Sequence, residues 1–189
     1  MPFLYSICQL LVAVMNFVLF GFKGCGKSLA GRLLAARLGR EFVETDCVLE
    51  EIYLEKNAKR LSAREIAKKH GMDFFRLLEE EAVQRVSVLD GKVIGCGGGT
   101  AFSSGNVAAL KRNGKMILLK LARETLFRRI MAGGIPAFFD EKDPKGSFEK
   151  LFNERSKYFE GIADLKIDCN GKSGRQIVDE ILEKAGLCS

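Results

Sequence analysis

Short apolar runs alternate with amphipathic stretches along this chain. Asn16 to Phe20 (NFVLF) reads as a buried strand, and Lys27 to Leu38 sets Leu29, Leu33, Leu34 and Leu38 at helical spacing. Glu41 to Thr45 (EFVET) reads as a second short strand. Ser62 to Lys69 reads as a short helix, with Ser62 and Glu65 spaced as a capping box. Asp73 to Leu89 is a longer helix, and Lys92 to Gly95 is a third strand that runs into glycines. Lys115 to Leu121 is a fourth strand and Arg123 to Met131 a helix. Gly133 to Gly146 mixes Gly, Pro and charge and reads as a mobile loop. Phe148 to Ile162 is helical, Leu165 to Asp168 is a fifth strand, and Ser173 to Ala185 closes the chain as a helix. Strands alternating with helices predict an α/β fold, three layers α/β/α around a five-stranded parallel sheet. Ligands in such folds bind at the carboxyl ends of the strands.

The first 20 residues are strongly apolar and hold no basic residue, the first in the chain being Lys23, so the positive start of a signal peptide is absent. Asn16 interrupts the run that a membrane span would need. The domain is therefore expected to be 15–189, with 1–14 a loose extension or a misassigned start, and no membrane partner. A chain of 189 residues, 47% apolar and 29% charged, suits one globular domain. The net charge of +6 favours an anionic ligand. The basic residues are scattered rather than massed in a stripe, which argues against nucleic acid. Six dispersed cysteines without a CxxC pair, and the single histidine His70, exclude a clustered zinc site and a disulfide framework. They read as reduced thiols of a cytoplasmic protein, expected to act as a monomer.

The first strand is followed by Gly21-Phe22-Lys23-Gly24-Cys25-Gly26-Lys27-Ser28, the GxxxxGK[ST] pattern of a P-loop in its strand–loop–helix setting. Glycines let backbone N–H groups curl around phosphates, and the helix beginning at Lys27 points its positive end at the anion. Lys27 brings a cation to the β- and γ-phosphates, and Ser28 brings a hydroxyl to Mg²⁺. The nucleotide-binding set is thus Gly24, Cys25, Gly26, Lys27, Ser28 and Leu29, with ATP and Mg²⁺ as the implied cofactors.

The acceptor side carries weaker signals. Glu44 and Asp46 flank Thr45 at the end of the second strand, where two residues of separation put both carboxylates on one side. One suits an acceptor hydroxyl and the other a hydrated Mg²⁺; the alternative is an acidic strand end with Asp46 capping the next helix. Arg76 and Glu79, at i and i+3, share a helix face; they are a held guanidinium or a plain surface pair. Gly97-Gly98-Gly99 means close approach of backbone to something, substrate or a tight turn. Arg155 lies on a later helix, ahead of Phe159 and Asp164.

Taken in order, GxxGxGKS, ETD, DFFRxxE, GGG and Arg155 in RSKYFEGIAD resemble shikimate kinase, from about Asn16 to Lys184. DFFRxxE with GGG discriminates, since many kinases share the P-loop. The resemblance implies a nucleoside-monophosphate-kinase-like core that moves the γ-phosphoryl of ATP to the 3-hydroxyl of shikimate, in chorismate and aromatic amino-acid biosynthesis. It implies that Asp46 holds the acceptor hydroxyl and serves as its base or orienter. Arg76 and Arg155 would clamp the shikimate carboxylate, Gly98 would contact the ring oxygens, and Glu79 would hold Arg76. Ser28 would bind Mg²⁺ with Glu44 helping through water. Arg129 and Lys172 would lie near the adenine.

The sequence departs from that family at the lid, about 133–146. An Arg-Pro-Leu-Leu stretch is usual there, and here the residues are Gly134-Ile135-Pro136-Ala137-Phe138-Phe139. Lys142 or Lys145 would have to substitute for the arginine. Glu44 stands for the first acid of a usual DTD, and Phe159 for a frequent Tyr. Two other readings follow from these departures: a P-loop kinase for another small anionic alcohol such as gluconate, and a nucleotide-binding protein without catalysis.

Overall fold

The computed structural model describes residues 14–136 and 139–187. Five parallel strands, β1 (Asn16–Phe20), β2 (Phe42–Glu44), β3 (Val93–Gly95), β4 (Gly114–Lys120) and β5 (Leu165–Asp168), form one sheet in the order β2-β3-β1-β4-β5. Strand β1 lies at the centre and pairs with β3 and β4. All five of its residues are buried, as a parallel strand covered on both faces requires. Asn16 tolerates that burial because both ends of its amide are used. Its Nδ2 donates to the Leu89 carbonyl at 2.6 Å, and its Oδ1 accepts from the Lys92 N–H at 2.7 Å.

The helices are α1 (Lys27–Leu38), α2 (Thr45–Asn57), α3 (Ala63–Ser87), α4 (Ser104–Lys111), α5 (Arg123–Ala132), α6 (Pro144–Ile162) and α7 (Gly174–Lys184), with a 3₁₀ turn at Thr100–Phe102. The three-layer α/β arrangement and the strand positions expected from the pattern are present. The hydrophobic reading assigns no element to α2 or α4, and both exist. In α2, Leu49, Ile52 and Tyr53 pack into a second cluster with Ile66, Leu78 and Ala82 of α3, beside the main core. The two helices read at 62–69 and 73–89 form α3, which breaks at Gly71 (φ 83°, ψ 170°), a conformation that glycine adopts without a Cβ clash. The capping box at its start is formed: the Ser62 side chain accepts from the Glu65 N–H, and Glu65 accepts from the Ser62 N–H at 2.8 Å.

The structure corrects two expectations. Strand β2 ends at Glu44, and Asp46 lies in the first turn of α2, so the two carboxylates do not share a strand face. The loop expected over 133–146 is shorter at its far end. Asp143 caps α6, its side chain accepting from the Gly146 N–H, and helix begins at Pro144. Ala137 and Phe138 of that stretch lie outside the described residues, as do residues 1–13 of the expected extension. Among the described residues, no helix is long and apolar enough to cross a membrane.

Candidate active site

The carboxyl ends of β1, β2 and β3 open into one cleft of about 850 Å³. Its floor is the turn between β1 and α1. Gly24 (φ 83°) and Gly26 (φ 100°) hold left-handed conformations there, which bend the backbone into a concave loop ahead of the α1 N-terminus. Lys27 Nζ donates to the carbonyls of Gly21 (3.0 Å) and Phe22 (2.9 Å), so the loop lysine lies within its own ring of carbonyls. Arg129, expected near the base, reaches the same loop: its Nη1 donates to the Gly24 carbonyl at 3.1 Å.

At the start of α1 the Ser28 hydroxyl donates to the Glu44 carboxylate. The second oxygen of Glu44 pairs with Arg32 at 2.9 Å. A hydroxyl and a carboxylate meeting beside a phosphate loop are hard oxygen donors. Mg²⁺ characteristically takes only one or two such protein ligands beside phosphates and waters, so this pair fits it. Among the described residues no group of three or more His, Cys, Asp or Glu is arranged as a metal cage.

Asp46 projects from α2 against the glycine run after β3. A Cβ on Gly97 would stand 2.5 Å from its Oδ1, so glycine is what makes room for the carboxylate. Burial pushes the Asp46 pKa up, and the nearby Glu79 adds to that, while Lys27 opposes it. Thr45 next to it ties the two elements together, its hydroxyl oxygen accepting from the Gly97 N–H at 2.9 Å.

Two arginines line the same cleft as Asp46. Arg76 of α3 donates to Glu79, whose side chain is only 3% exposed. Glu79 also accepts from the Thr100 hydroxyl at 2.7 Å, and the Thr100 carbonyl accepts from the Asn106 amide at 3.1 Å. Every polar atom of this buried chain has a partner, which fixes the guanidinium. Arg155 of α6 donates to the Gly98 carbonyl at 3.3 Å and lies 5.0 Å from the centre of the Phe102 ring. Burial, with Arg76 nearby, lowers its pKa, but a guanidinium remains charged in a protein. Two fixed guanidiniums on one wall suit a carboxylate.

The structure thus gathers Lys27, Ser28, Glu44, Asp46, Arg76, Gly98 and Arg155 on one cleft, together with Gly24, Gly26 and Leu29. Cys25, expected with them, is buried and does not line the cleft. Lys172 is not on that cleft; it pairs with Glu180 at 2.6 Å. Its turn is nonetheless close to the loop helix, because a Cβ on Gly174 would stand 3.5 Å from Leu29 Cδ2. Lys142 and Lys145, proposed as stand-ins for a lid arginine, do not line the cleft, since Lys145 is already in α6. Sequence reasoning missed Thr45, Thr100, Asn106 and Phe102. Thr45 and Thr100 had a signal, each lying next to a motif residue; Asn106 and Phe102 had none.

A family described as shikimate kinase matches residues 23–186. The chain is 34% identical over 167 residues to a shikimate kinase of Caldanaerobacter subterraneus subsp. tengcongensis, covering 88% of this chain and 94% of that protein. It is 37% identical over 172 residues to a shikimate kinase of Symbiobacterium thermophilum, covering 90% and 95%. Its fold matches that of a shikimate kinase from Acinetobacter baumannii in complex with shikimate, with a TM-score of 0.81, 24% identity, and coverage of 93% and 94%.

Proposed function

The chain belongs to the shikimate kinase family, and from that premise we propose that it transfers the γ-phosphoryl group of ATP to the 3-hydroxyl of shikimate, within chorismate and aromatic amino-acid biosynthesis. The observation that carries the reading is the convergence on one cleft of a phosphate loop, one carboxylate of raised pKa and two guanidiniums. In this reading the loop N–H groups and Lys27 bind the β- and γ-phosphates. Arg76 and Arg155 hold the shikimate carboxylate, and the Gly98 backbone meets the ring oxygens. That grip turns the 3-hydroxyl toward Asp46. The hydroxyl oxygen forms a new bond to the γ-phosphorus while the bond to the ADP oxygen breaks, and the hydroxyl proton passes to Asp46. A carboxylate whose pKa is raised is the better base for that transfer. Ser28 and Glu44 would hold Mg²⁺, which when bound supplies positive charge at the phosphate oxygens. Arg129 and Lys172 flank the nucleotide. Action as a monomer in the cytoplasm is part of the same proposal.

A coupled assay of ADP release from Mg-ATP, with and without shikimate, tests it. ADP release that depends on shikimate is expected. Release indifferent to shikimate, with ATP bound, would overturn it.

A further inference from the structure

Phosphoryl transfer concentrates negative charge on the three oxygens of the group in flight, and catalysis rests on cations aimed at them. The cations around this cleft are already committed, with two exceptions. Lys27 is bonded to Gly21 and Phe22, Arg76 to Glu79, and Arg155 to Gly98. Lys23 and Arg64 line the cleft, and among the described residues neither makes a hydrogen bond or ion pair. Lys23 belongs to the floor, its backbone and Cβ packed 3.4 Å from where a Cβ on Gly98 would stand.

Arg64 is different. It sits in the first turn of α3, on the acceptor side. Its Nη2 lies 3.8 Å from where a Cβ on Gly134 would stand, so it reaches the segment whose Pro136 lines the cleft. Residues Gly133, Gly134, Ile135 and Pro136 of that segment bring no cation of their own. The base of the helix is fixed: Ser62 and Glu65 form the capping box, and the Ala63 N–H donates to Glu50 at 2.8 Å. A cation in the first turn of a helix opposes the helix dipole, and that opposition is relieved when an anion stands before it. The break at Gly71 separates the segment carrying Arg64 from the one carrying Arg76.

We propose that Arg64 is a catalytic residue of this chain, a guanidinium supplied from the acceptor-side helix that binds the oxygens of the transferring phosphoryl opposite Lys27. It forms no covalent bond. Its planar fork matches two phosphoryl oxygens at once, which a lysine in its place cannot do. The inference rests on the function proposed above.

The test is Arg64→Ala and Arg64→Lys in the full chain. Arg64 is exposed, so neither change threatens the core. The expected result is a fall in kcat of about 10²-fold or more for Arg64→Ala, with KM for ATP and for shikimate each within about threefold of the unsubstituted protein. Arg64→Lys should recover little, and added guanidinium ion should restore part of the rate of Arg64→Ala. Binding gives an independent readout: with ADP and shikimate present, aluminium fluoride should bind Arg64→Ala much more weakly, while ADP alone binds as before. Unchanged kcat and unchanged aluminium fluoride binding would overturn the assignment. So would a loss confined to KM for shikimate, which would make Arg64 part of the carboxylate grip. If the unsubstituted protein shows no shikimate-dependent turnover, the proposed function fails first and the assignment with it.

Discussion

Gly99 is the space that Arg76 occupies: a Cβ on Gly99 would stand 2.7 Å from Arg76 Nη2 and 2.8 Å from Nη1. Its φ of −115° is open to any residue, so glycine is needed here for the guanidinium and not for the backbone. Gly99→Ala should therefore push Arg76 aside. Misplacing a binding group by about 1 Å can cost up to about 10²-fold. KM for shikimate is expected to rise by about tenfold or more, with ATP affinity unchanged. Steady-state kinetics with each substrate varied will show it; an equal loss on the ATP side would contradict it.

Glu79 links that guanidinium to the glycine turn through Thr100. Glu79→Ala leaves the buried Thr100 hydroxyl without its acceptor and releases Arg76. A loss of about 1–3 kcal/mol in unfolding free energy is expected, together with weaker shikimate binding. Thr100→Val should lower stability by about 1 kcal/mol and affect binding less, because Glu79 still holds Arg76. Denaturant titration of both variants separates the structural role from the binding role.

Asp46 gives a pH dependence whose sign follows from its environment. Its carboxyl is raised by burial, then by Glu79, so the acid limb of kcat/KM should lie above the ordinary aspartate range. Activity is lost as pH falls through that raised value, because the base becomes protonated. Stability moves the other way. Between the unfolded and the raised folded pKa the native state binds more protons, so stability rises as pH falls through that window. Asp46→Asn removes the buried charge. It should cut kcat by about 10²–10⁴-fold while raising Tm by about 2–4 °C, the shift that about 1 kcal/mol produces in a chain of this size. A variant that is both inactive and less stable would refute the account.

Glu44 is the test of the cation site. Glu44→Gln keeps the shape and removes the charge beside Ser28. The Mg²⁺ concentration for half-maximal activity should rise by about 10–100-fold, and saturating Mg²⁺ should restore most of kcat. Arg32→Ala, which removes only the outer partner of Glu44, should shift that concentration less.

What was legible in the sequence was local. The glycine-lysine-serine loop behind NFVLF, the strand order in time, the capping box at Ser62 and the i, i+3 pair Arg76–Glu79 all follow from periodicities of two and 3.6 residues or from a fixed motif. They sufficed for the α/β class and the phosphate loop. The order β2-β3-β1-β4-β5 was beyond them, because pairing is decided by which faces bury together. So were α2 and the place of Asp46, since the end of β2 is set by its pairing with β3 as far as Gly95. The glycine run showed from sequence only that something comes close. The fold decided that Gly97 admits Asp46 and Gly99 admits Arg76, contacts between segments far apart in the chain. Arg64 beside Gly134 is of the same kind, because no local pattern reports what stands across a cleft.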